Sequence, residues 1–427
     1  MKKIALILQK LSSSWVSCKS ITSNLEKAYQ IAFPQSEVKC FFLNEDSSSL
    51  DLIQLTQTLK NFNPEILSFI DHKPHPGSFL TALNEFCPDW RPELYFHAFG
   101  DFTLQVGKWL HTEDLLRKYP VHFFCASEKQ TLLLKGLLSQ GSADLVSTLP
   151  FPVDTADFFV ETPTLVGRSN SADTRDIKFL YTGRISLQKN ILLLVKCFGN
   201  YLHNINPHAQ LWLAGPIDDL GYPYTGQVPP MGFQSSILMR AIEKYLPPKD
   251  HEKVVYHGIL SGPQLRRIYN QADIYISLST HNDEDFGMAP AEAASCGLPL
   301  VLSDWAGFSS FKNALGEDHC EMVPVQMTTK GPLPDEKKCL QKMFMSSTQQ
   351  NLNQRTNVSQ ALQGYCSIES VAKKLSAQID SLNEKNFHAF HYHLAQLAEA
   401  QCLYPLSPFA SGTGYSQLYR KIYDCYF

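Results

Sequence analysis

The chain has 427 residues, 44% hydrophobic and 18% charged, enough apolar material for two or three buried cores and too much for a disordered chain. Lys and Arg number 37 against 41 Asp and Glu, a formal net charge of −4, which argues against a nucleic-acid binder because phosphate backbones demand a basic footprint. The 11 cysteines are odd in number and scattered without a C-x-x-C pair, so neither a disulfide framework nor a zinc ribbon is indicated and a reducing compartment is the simpler reading.

The first apolar run, Ile4-Ala5-Leu6-Ile7-Leu8, ends at Gln9 and Lys10. It is shorter than the ~7–15 residues of an export signal and reads as a buried strand. Further on, no run reaches the ~18 apolar residues of a membrane span. These observations lead to the expectation of a soluble, cytoplasmic protein with at most peripheral membrane contact. Strands are predicted at Lys3–Leu8, Glu37–Leu43, Glu65–Ile70, Glu93–His97, Pro120–Cys125 and Asp144–Leu149. The stretch Glu161–Asp176 then turns polar, with Thr162-Pro163, Gly167 and Ser169-Asn170-Ser171, the composition of a linker. A second series follows at Ile177–Thr182, Ala209–Ala214, Lys253–His257, Asp273–Leu278 and Leu298–Leu302.

Helical patterns separate these strands. After Arg184, residues Ile191, Leu194, Val195, Phe198 and Leu202 share one face. Ser261-Gly262-Pro263-Gln264 opens another helix with a capping Ser, Gln three residues on and an early Pro, followed by the stripe Leu265, Ile268, Tyr269 and Ala272. Two such series predict an α/β protein of two parallel-sheet domains, with ligands at the carboxyl ends of the strands and in the cleft that paired domains form. Residues 308–360 read as an inserted or extended loop region, on the strength of Lys330-Gly331-Pro332-Leu333-Pro334 and Ser346-Ser347-Thr348-Gln349-Gln350. A helix is expected over Ser367–Leu382. The tail places Tyr415, Tyr419, Ile422, Tyr423 and Tyr426 on one helical face, a packing stripe.

The segment richest in chemistry is Asp283-Glu284-Asp285-Phe286-Gly287-Met288-Ala289-Pro290-Ala291-Glu292-Ala293-Ala294-Ser295-Cys296-Gly297-Leu298-Pro299. Pro290 suits a helix start, and Gly297 with Pro299 marks its end. A short helix therefore begins at Met288–Pro290, straight after the loop that follows the Asp273–Leu278 strand. Its N–H groups and positive dipole end form an anion site that suits a diphosphate. Glu284 and Glu292 beside such a site suit neutral hydroxyl groups, as on a sugar and a ribose. Gly183-Arg184 ends the second domain's first strand, and Lys189 lies five positions on; a guanidinium fork and a mobile ammonium both suit phosphate oxygens.

At these residues the sequence resembles the family 4 retaining glycosyltransferases of GT-B fold. Their E-x7-E signature is matched by Glu284 through Glu292, with Phe286-Gly287 inside it and Glu292-Ala293-Ala294-Ser295-Cys296-Gly297-Leu298-Pro299 after it. Their G-R-x4-K element is matched by Gly183-Arg184 to Lys189. Weaker matches are Ala126-Ser127-Glu128, Pro150-Phe151-Pro152-Val153-Asp154, His257-Gly258-Ile259-Leu260 and Ser303-Asp304-Trp305-Ala306-Gly307; coverage is dense over 177–308 and thin before it. The resemblance implies two Rossmann-like domains facing across a cleft, an acceptor-side domain over residues 1–165 and a nucleotide-sugar domain over 174–398, with a helix at about 400–427 packing back on the first. It implies Glu292 on the donor ribose, Glu284 on the transferred sugar, Arg184 and Lys189 on the diphosphate, and backbone of Gly183, Phe286, Gly287 and Met288 at the phosphates and sugar. Ile259 and Leu260 would border the nucleobase, and His97 in Tyr95-Phe96-His97 would stand near the reacting centre. One departure is plain: where many relatives carry Gly-Gly after the first strand, this chain has Leu11-Ser12-Ser13-Ser14-Trp15, with no glycine.

Plainer readings stand beside these. His97 amid aromatics equally suits a satisfied core histidine. Asp283-Glu284-Asp285 mimics the D-x-D that holds Mn²⁺ or Mg²⁺ in the other large glycosyltransferase fold, but here it is nested in E-x7-E. His388 and His391 share a helical face without a third ligand, which suits a surface better than zinc. The expected activity is transfer of a sugar from a UDP- or GDP-sugar to a hydroxyl acceptor with retention, without cofactor or metal because Arg184 and Lys189 take the metal's place. The acceptor stays open among glycan, lipid, metabolite and protein. The alternatives are a non-catalytic nucleotide-sugar-binding relative, or an epimerase or phosphorylase on the same fold.

Overall fold

The computed structural model describes residues 2–9, 16–71, 74–161, 176–217, 233–328, 331–348, 352–381, 386–403 and 412–427. Leu11 to Trp15, residues 162–175 of the polar break, Lys330, Gln349, Gln350 and the side chain of Tyr415 lie outside the described residues. The chain divides into two compact units. The first comprises Met1–Pro152, Cys366–Tyr404 and Gln417–Cys425; the second comprises Val153–Tyr365, Pro405–Ser416 and Tyr426–Phe427.

The first unit is built on strands β1 (Lys3–Leu8), β2 (Glu37–Phe42), β3 (Ile66–Ile70), β4 (Glu93–Ala98), β5 (Val121–Cys125) and β6 (Val146–Thr148). All pair in parallel in the order β2-β1-β3-β4-β5-β6. Strands β3 and β5 are buried at every position. This is why they read as unbroken apolar runs: helices cover both faces of a parallel sheet, and no alternation survives. Within this unit the helix Val16–Ala32 packs against the helix Ile368–Ser381, whose buried face is Ile368, Val371, Ala372, Leu375 and Ile379. Cys366–Tyr404 thus belongs with the first unit, whereas sequence order alone counts residues up to 398 with the second. Amphipathicity reveals that a helix has a buried face but not which sheet buries it. The tail helix Gly412–Tyr423 buries Tyr419, Ile422 and Tyr423, and the Tyr423 hydroxyl lies 2.7 Å from Thr103 Oγ1 and also donates to the Asp101 carboxylate.

The second unit holds β7 (Lys178–Thr182), β8 (Gln210–Ala214), β9 (Val254–Tyr256), β10 (Ile274–Ser277), β11 (Leu300–Ser303) and β12 (Cys320–Val323). These too are parallel, in the order β12-β11-β10-β7-β8-β9. The chain lays β8 and β9 on one side of β7, then returns to build β10, β11 and β12 on the other. The expected face Ile191, Leu194, Val195, Phe198 and Leu202 lies in the core of this unit, with Phe179, Leu211, Ile276 and Val301.

Residues 308–360 correct the sequence reading. Instead of an extended loop they hold the helix Ser310–Leu315, strand β12, an antiparallel hairpin of β13 (Val325–Thr328) and β14 (Gly331–Pro334), and the helices Glu336–Thr348 and Leu352–Cys366. Pro332 and Pro334, which signal a loop in the sequence, occupy a two-stranded ladder in which both strands are edges, where a missing N–H is tolerated. In β12 the apolar pattern is interrupted by Glu321, which the strand buries in an ion pair with Lys342 at 2.6 Å. Among the described residues, no helix is long and apolar enough to cross a membrane.

Candidate functional site

Strands β7 and β10 are parallel neighbours, so their carboxyl ends open side by side where the strand order reverses. In open α/β sheets that reversal is where ligands sit. The loop after β7 begins with Gly183 at φ +139°, whose N–H donates to Ala214 O at 2.9 Å. Opposite it, Gly215 at φ +133° packs so closely that a Cβ there would lie 2.0 Å from Gly183 O. The Tyr181 hydroxyl donates to Arg184 O at 2.7 Å and fixes the backbone from which Arg184 projects. A short turn over Leu187–Lys189 ends at Asn190, left-handed at φ +53°. Asn190 Nδ2 donates to Leu278 O at 2.8 Å and to Thr280 Oγ1 at 2.9 Å, tying this loop to the one after β10.

Across that tie Lys189 forms an ion pair with Glu284, the two side chains only 14% and 13% exposed. Burial alone would raise the Glu284 pKa. The Lys189 charge, with hydrogen bonds from Lys189 and Ser279, outweighs it, and the carboxyl is held below its usual range. Downstream, Phe286 is fully buried against the rings of Phe311 and Tyr365, so its side chain anchors the loop and only its backbone is available to a ligand. Gly287 stands before the helix at φ +107°, where a Cβ would lie 2.7 Å from the Phe308 ring and 2.8 Å from Pro290. The helix Met288–Ser295 follows; its first turn leaves N–H groups without intrahelical acceptors, and Gly297 at φ +81° closes its other end.

One turn into this helix, Glu292 accepts a hydrogen bond of 3.2 Å from the Tyr269 hydroxyl. The same hydroxyl lies 2.7 Å from Thr182 Oγ1 at the end of β7. Burial pushes the Glu292 pKa up to about 7, with the Tyr269 bond pulling the other way. Glu284 and Glu292 therefore differ: the first is fully ionised beside a cation, and the second is poised near neutrality.

The sequence reading missed His281. It lies in the loop between β10 and Glu284, where its carbonyl accepts from Trp305 Nε1 at 3.0 Å and Glu284 N at 3.2 Å. Burial and then Lys189 push its pKa down to about 4; Asp283 and Glu284 oppose the shift, and Arg184 adds to it. The imidazole is thus neutral and lies among the charged groups of the site. Its only sequence signal was position, three residues before Glu284, too little for a lone histidine. Ile259, 75% exposed, and Leu260 follow β9, beside Gly258, whose carbonyl accepts from Gly215 N at 2.8 Å. His97 lies in the first unit, 2% exposed. Its Nε2 is 2.9 Å from the Tyr29 hydroxyl, its ring packs on Phe124, and burial drives its pKa down to about 3. Among the described residues, no group of three or more His, Cys, Asp or Glu side chains is placed to hold a metal ion.

Residues 167–313 match the model of the Glycosyl transferases group 1 family. Two curated relatives are similar to parts of the chain. An uncharacterized glycosyltransferase of Methanocaldococcus jannaschii is 27% identical over 140 residues, 33% of this chain and 30% of the relative. One component of the human phosphatidylinositol N-acetylglucosaminyltransferase is 30% identical over 188 residues, 44% of this chain and 32% of the relative. The chain thus spans about a third of the length of these curated relatives. Among solved structures, sucrose-phosphate synthase from Thermosynechococcus elongatus superposes with a TM-score of 0.60 at 13% identity, covering 89% of this chain and 98% of that one. The fold, two six-stranded parallel α/β units, is GT-B.

Proposed function

We propose that this chain is a retaining glycosyltransferase that moves a sugar from a UDP- or GDP-sugar to a hydroxyl acceptor, without a metal. The observation that carries the reading is the Lys189–Glu284 pair at the adjoining carboxyl ends of β7 and β10, with Arg184 in the same loop as Lys189 and the Met288 helix start beyond Glu284. The match to Glycosyl transferases group 1 over 167–313 covers all of these residues.

In this reaction the barrier lies in the departure of the nucleoside diphosphate as positive charge grows at the sugar's anomeric carbon. Arg184, Lys189 and the first N–H groups of the Met288–Ser295 helix are aimed at the phosphate oxygens, where negative charge accumulates. An arriving diphosphate competes with Glu284 for the Lys189 ammonium, which frees a Glu284 oxygen to accept from a hydroxyl of the transferred sugar. Glu292, ionised, accepts from the ribose hydroxyls, and Ile259 and Leu260 border the base. The acceptor hydroxyl attacks on the face the leaving group vacates, and its proton passes to the departing phosphate. His97, satisfied by Tyr29, is given no step.

The test is a thermal-shift screen with UDP, GDP and their sugar conjugates, since ligand-linked stabilisation grows with affinity. Nucleoside diphosphate release in EDTA is then followed with candidate acceptors. Stabilisation by one nucleotide series and turnover in EDTA are expected. No shift with any nucleotide would sink the reading, and activity lost in EDTA but restored by Mn²⁺ would sink its metal-free part.

A further inference from the structure

The loop from Leu278 to Gly287 carries His281, Asp283 and Glu284 without regular secondary structure of its own, so something outside it must fix those groups. Asn190 holds the loop's first residues, and further support comes from the connection after β11. Ser303 Oγ donates to Ser279 O, Trp305 Nε1 to His281 O at 3.0 Å, and Gly307 N to Glu284 O at 2.8 Å. Residues 303, 305 and 307 thus supply donors in alternation to the carbonyls of 279, 281 and 284. The approach is close: a Cβ on Gly307 would lie 2.3 Å from the backbone of Asp285. The hydroxyl of Ser303 sits on a one-atom stem at the end of β11, and the Gly307 donor is main chain. Only the Trp305 donor rides on a long side chain, so its position depends on what packs against the indole. Two rings do so edge-on: Tyr426 at 5.5 Å and 86°, and Phe427 at 5.1 Å and 85°. Trp305 and Tyr426 are fully buried, while Phe427 is 36% exposed. Tyr426 and Phe427 belong to the second unit, although Gln417–Cys425 just before them belongs to the first.

We propose that Trp305, held between Tyr426 and Phe427, is the positioning residue of the His281–Glu284 loop, so that this aromatic pair sets how tightly the site grips a diphosphate. The inference rests on the reading of the site as a nucleotide-sugar pocket. If Trp305 served only the core, a phenylalanine would satisfy its packing and the indole N–H would be incidental. If it positions the loop, loss of the N–H or of the rings that aim it must be felt where the loop faces the ligand. In that reading the loop reaches the terminal phosphate through Lys189, which Glu284 pairs, while ribose and base are held elsewhere, by Glu292 and by residues 259–260.

The experiment is isothermal titration of the full chain and of Phe427→Ala, Phe427→Tyr and Trp305→Phe with UDP against UMP and GDP against GMP, alongside ligand-free melting curves. Phe427→Ala and Trp305→Phe are expected to weaken the diphosphate roughly fivefold to tenfold, the worth of about one hydrogen bond, and to leave the monophosphate within about twofold. Phe427→Tyr should retain wild-type affinities. Equal losses for mono- and diphosphate, or no loss in either variant, would overturn the proposal while the wild-type chain still bound nucleotide. Should Trp305→Phe fail to fold, Phe427→Ala at its partly exposed position decides alone. A wild-type chain that bound neither nucleotide series would overturn the nucleotide-sugar reading, and this inference with it.

Discussion

Under the proposed function Glu292 does two things that oppose each other. Accepting a ribose hydroxyl requires the carboxylate, yet burial raises its pKa from 4.5 to about 7. A folded-state pKa above the unfolded value means that, as pH rises from about 4.5, the unfolded chain releases its proton first. Stability is therefore lost progressively up to about 7 and is level above it. Glu292→Gln removes that penalty and keeps an acceptor for Tyr269. It is expected to melt a few degrees above wild type at pH 8 and at the same temperature at pH 4, while binding UDP or GDP less tightly. Wild-type affinity should rise with pH through about 7, and that of the variant should not. A variant no more stable than wild type at pH 8 would refute the assignment. Lys189 offers a sharper dissection. Lys189→Ala should cut turnover by ~10²–10³ and lower stability, because it leaves Glu284 buried without its cation. Adding Glu284→Gln should restore the melting temperature but not the activity; recovery of both would remove Lys189 from the chemistry. Both spacings were legible beforehand: Arg184 to Lys189 lies in the loop after β7, and Glu284 to Glu292 runs from the loop after β10 into the helix that follows it. The salt bridge across 95 residues was not, and neither was His281, because no local pattern records which strand ends are neighbours.

Among the elements, the strands were readable to within a residue or two wherever a continuous apolar run was buried on both faces, as at β3, β5 and β7. Reading failed where local signals and tertiary setting disagree. The helix Leu352–Cys366 has no strong amphipathic stripe, yet it carries the buried Arg355. Its guanidinium donates to the carbonyls of Tyr269 at 3.1 Å, Asn270 at 2.9 Å and Ala272 at 2.9 Å, closing the end of the Gly262–Gln271 helix. Its backbone lies against Gly297, where a Cβ would approach Arg355 O to 2.6 Å. A segment with loop composition thus secures both helices that carry the Tyr269–Glu292 bond. Arg355→Met keeps the length of the side chain and removes its donors, leaving carbonyls at a buried helix end unsatisfied. A loss of ~2–4 kcal/mol in urea unfolding is expected, together with weaker nucleotide binding through the displaced Tyr269. A variant within experimental error of wild type in urea would show that the cap contributes nothing.

At the scale of the whole molecule, the first unit cannot be completed by the residues that begin it. Besides the Ile368–Ser381 helix on Val16–Ala32, His391 N donates to Leu137 O at 2.7 Å, Ser139 N to Ala389 O at 2.9 Å, and Phe390 N to Glu113 Oε2 at 2.9 Å. Tyr423 closes on Thr103 and Asp101. Each of these leaves apolar surface or a buried polar group exposed in residues 1–152 when the later segment is missing. Composition marked a break near residue 161, which suggests an autonomous first half; the contacts say that autonomy needs Cys366–Tyr404 and Gln417–Cys425 as well. The expectation is that residues 1–152 expressed alone show no cooperative thermal transition and bind a hydrophobic dye. The same residues joined by a flexible linker to 366–427 should melt in one sharp step, because the Val16–Ala32 helix then regains its Ile368–Ser381 partner. The comparison is decisive in calorimetry: if 1–152 alone unfolded as sharply and at the same temperature as the joined form, the later segment would be decoration on a finished fold and not one of its layers.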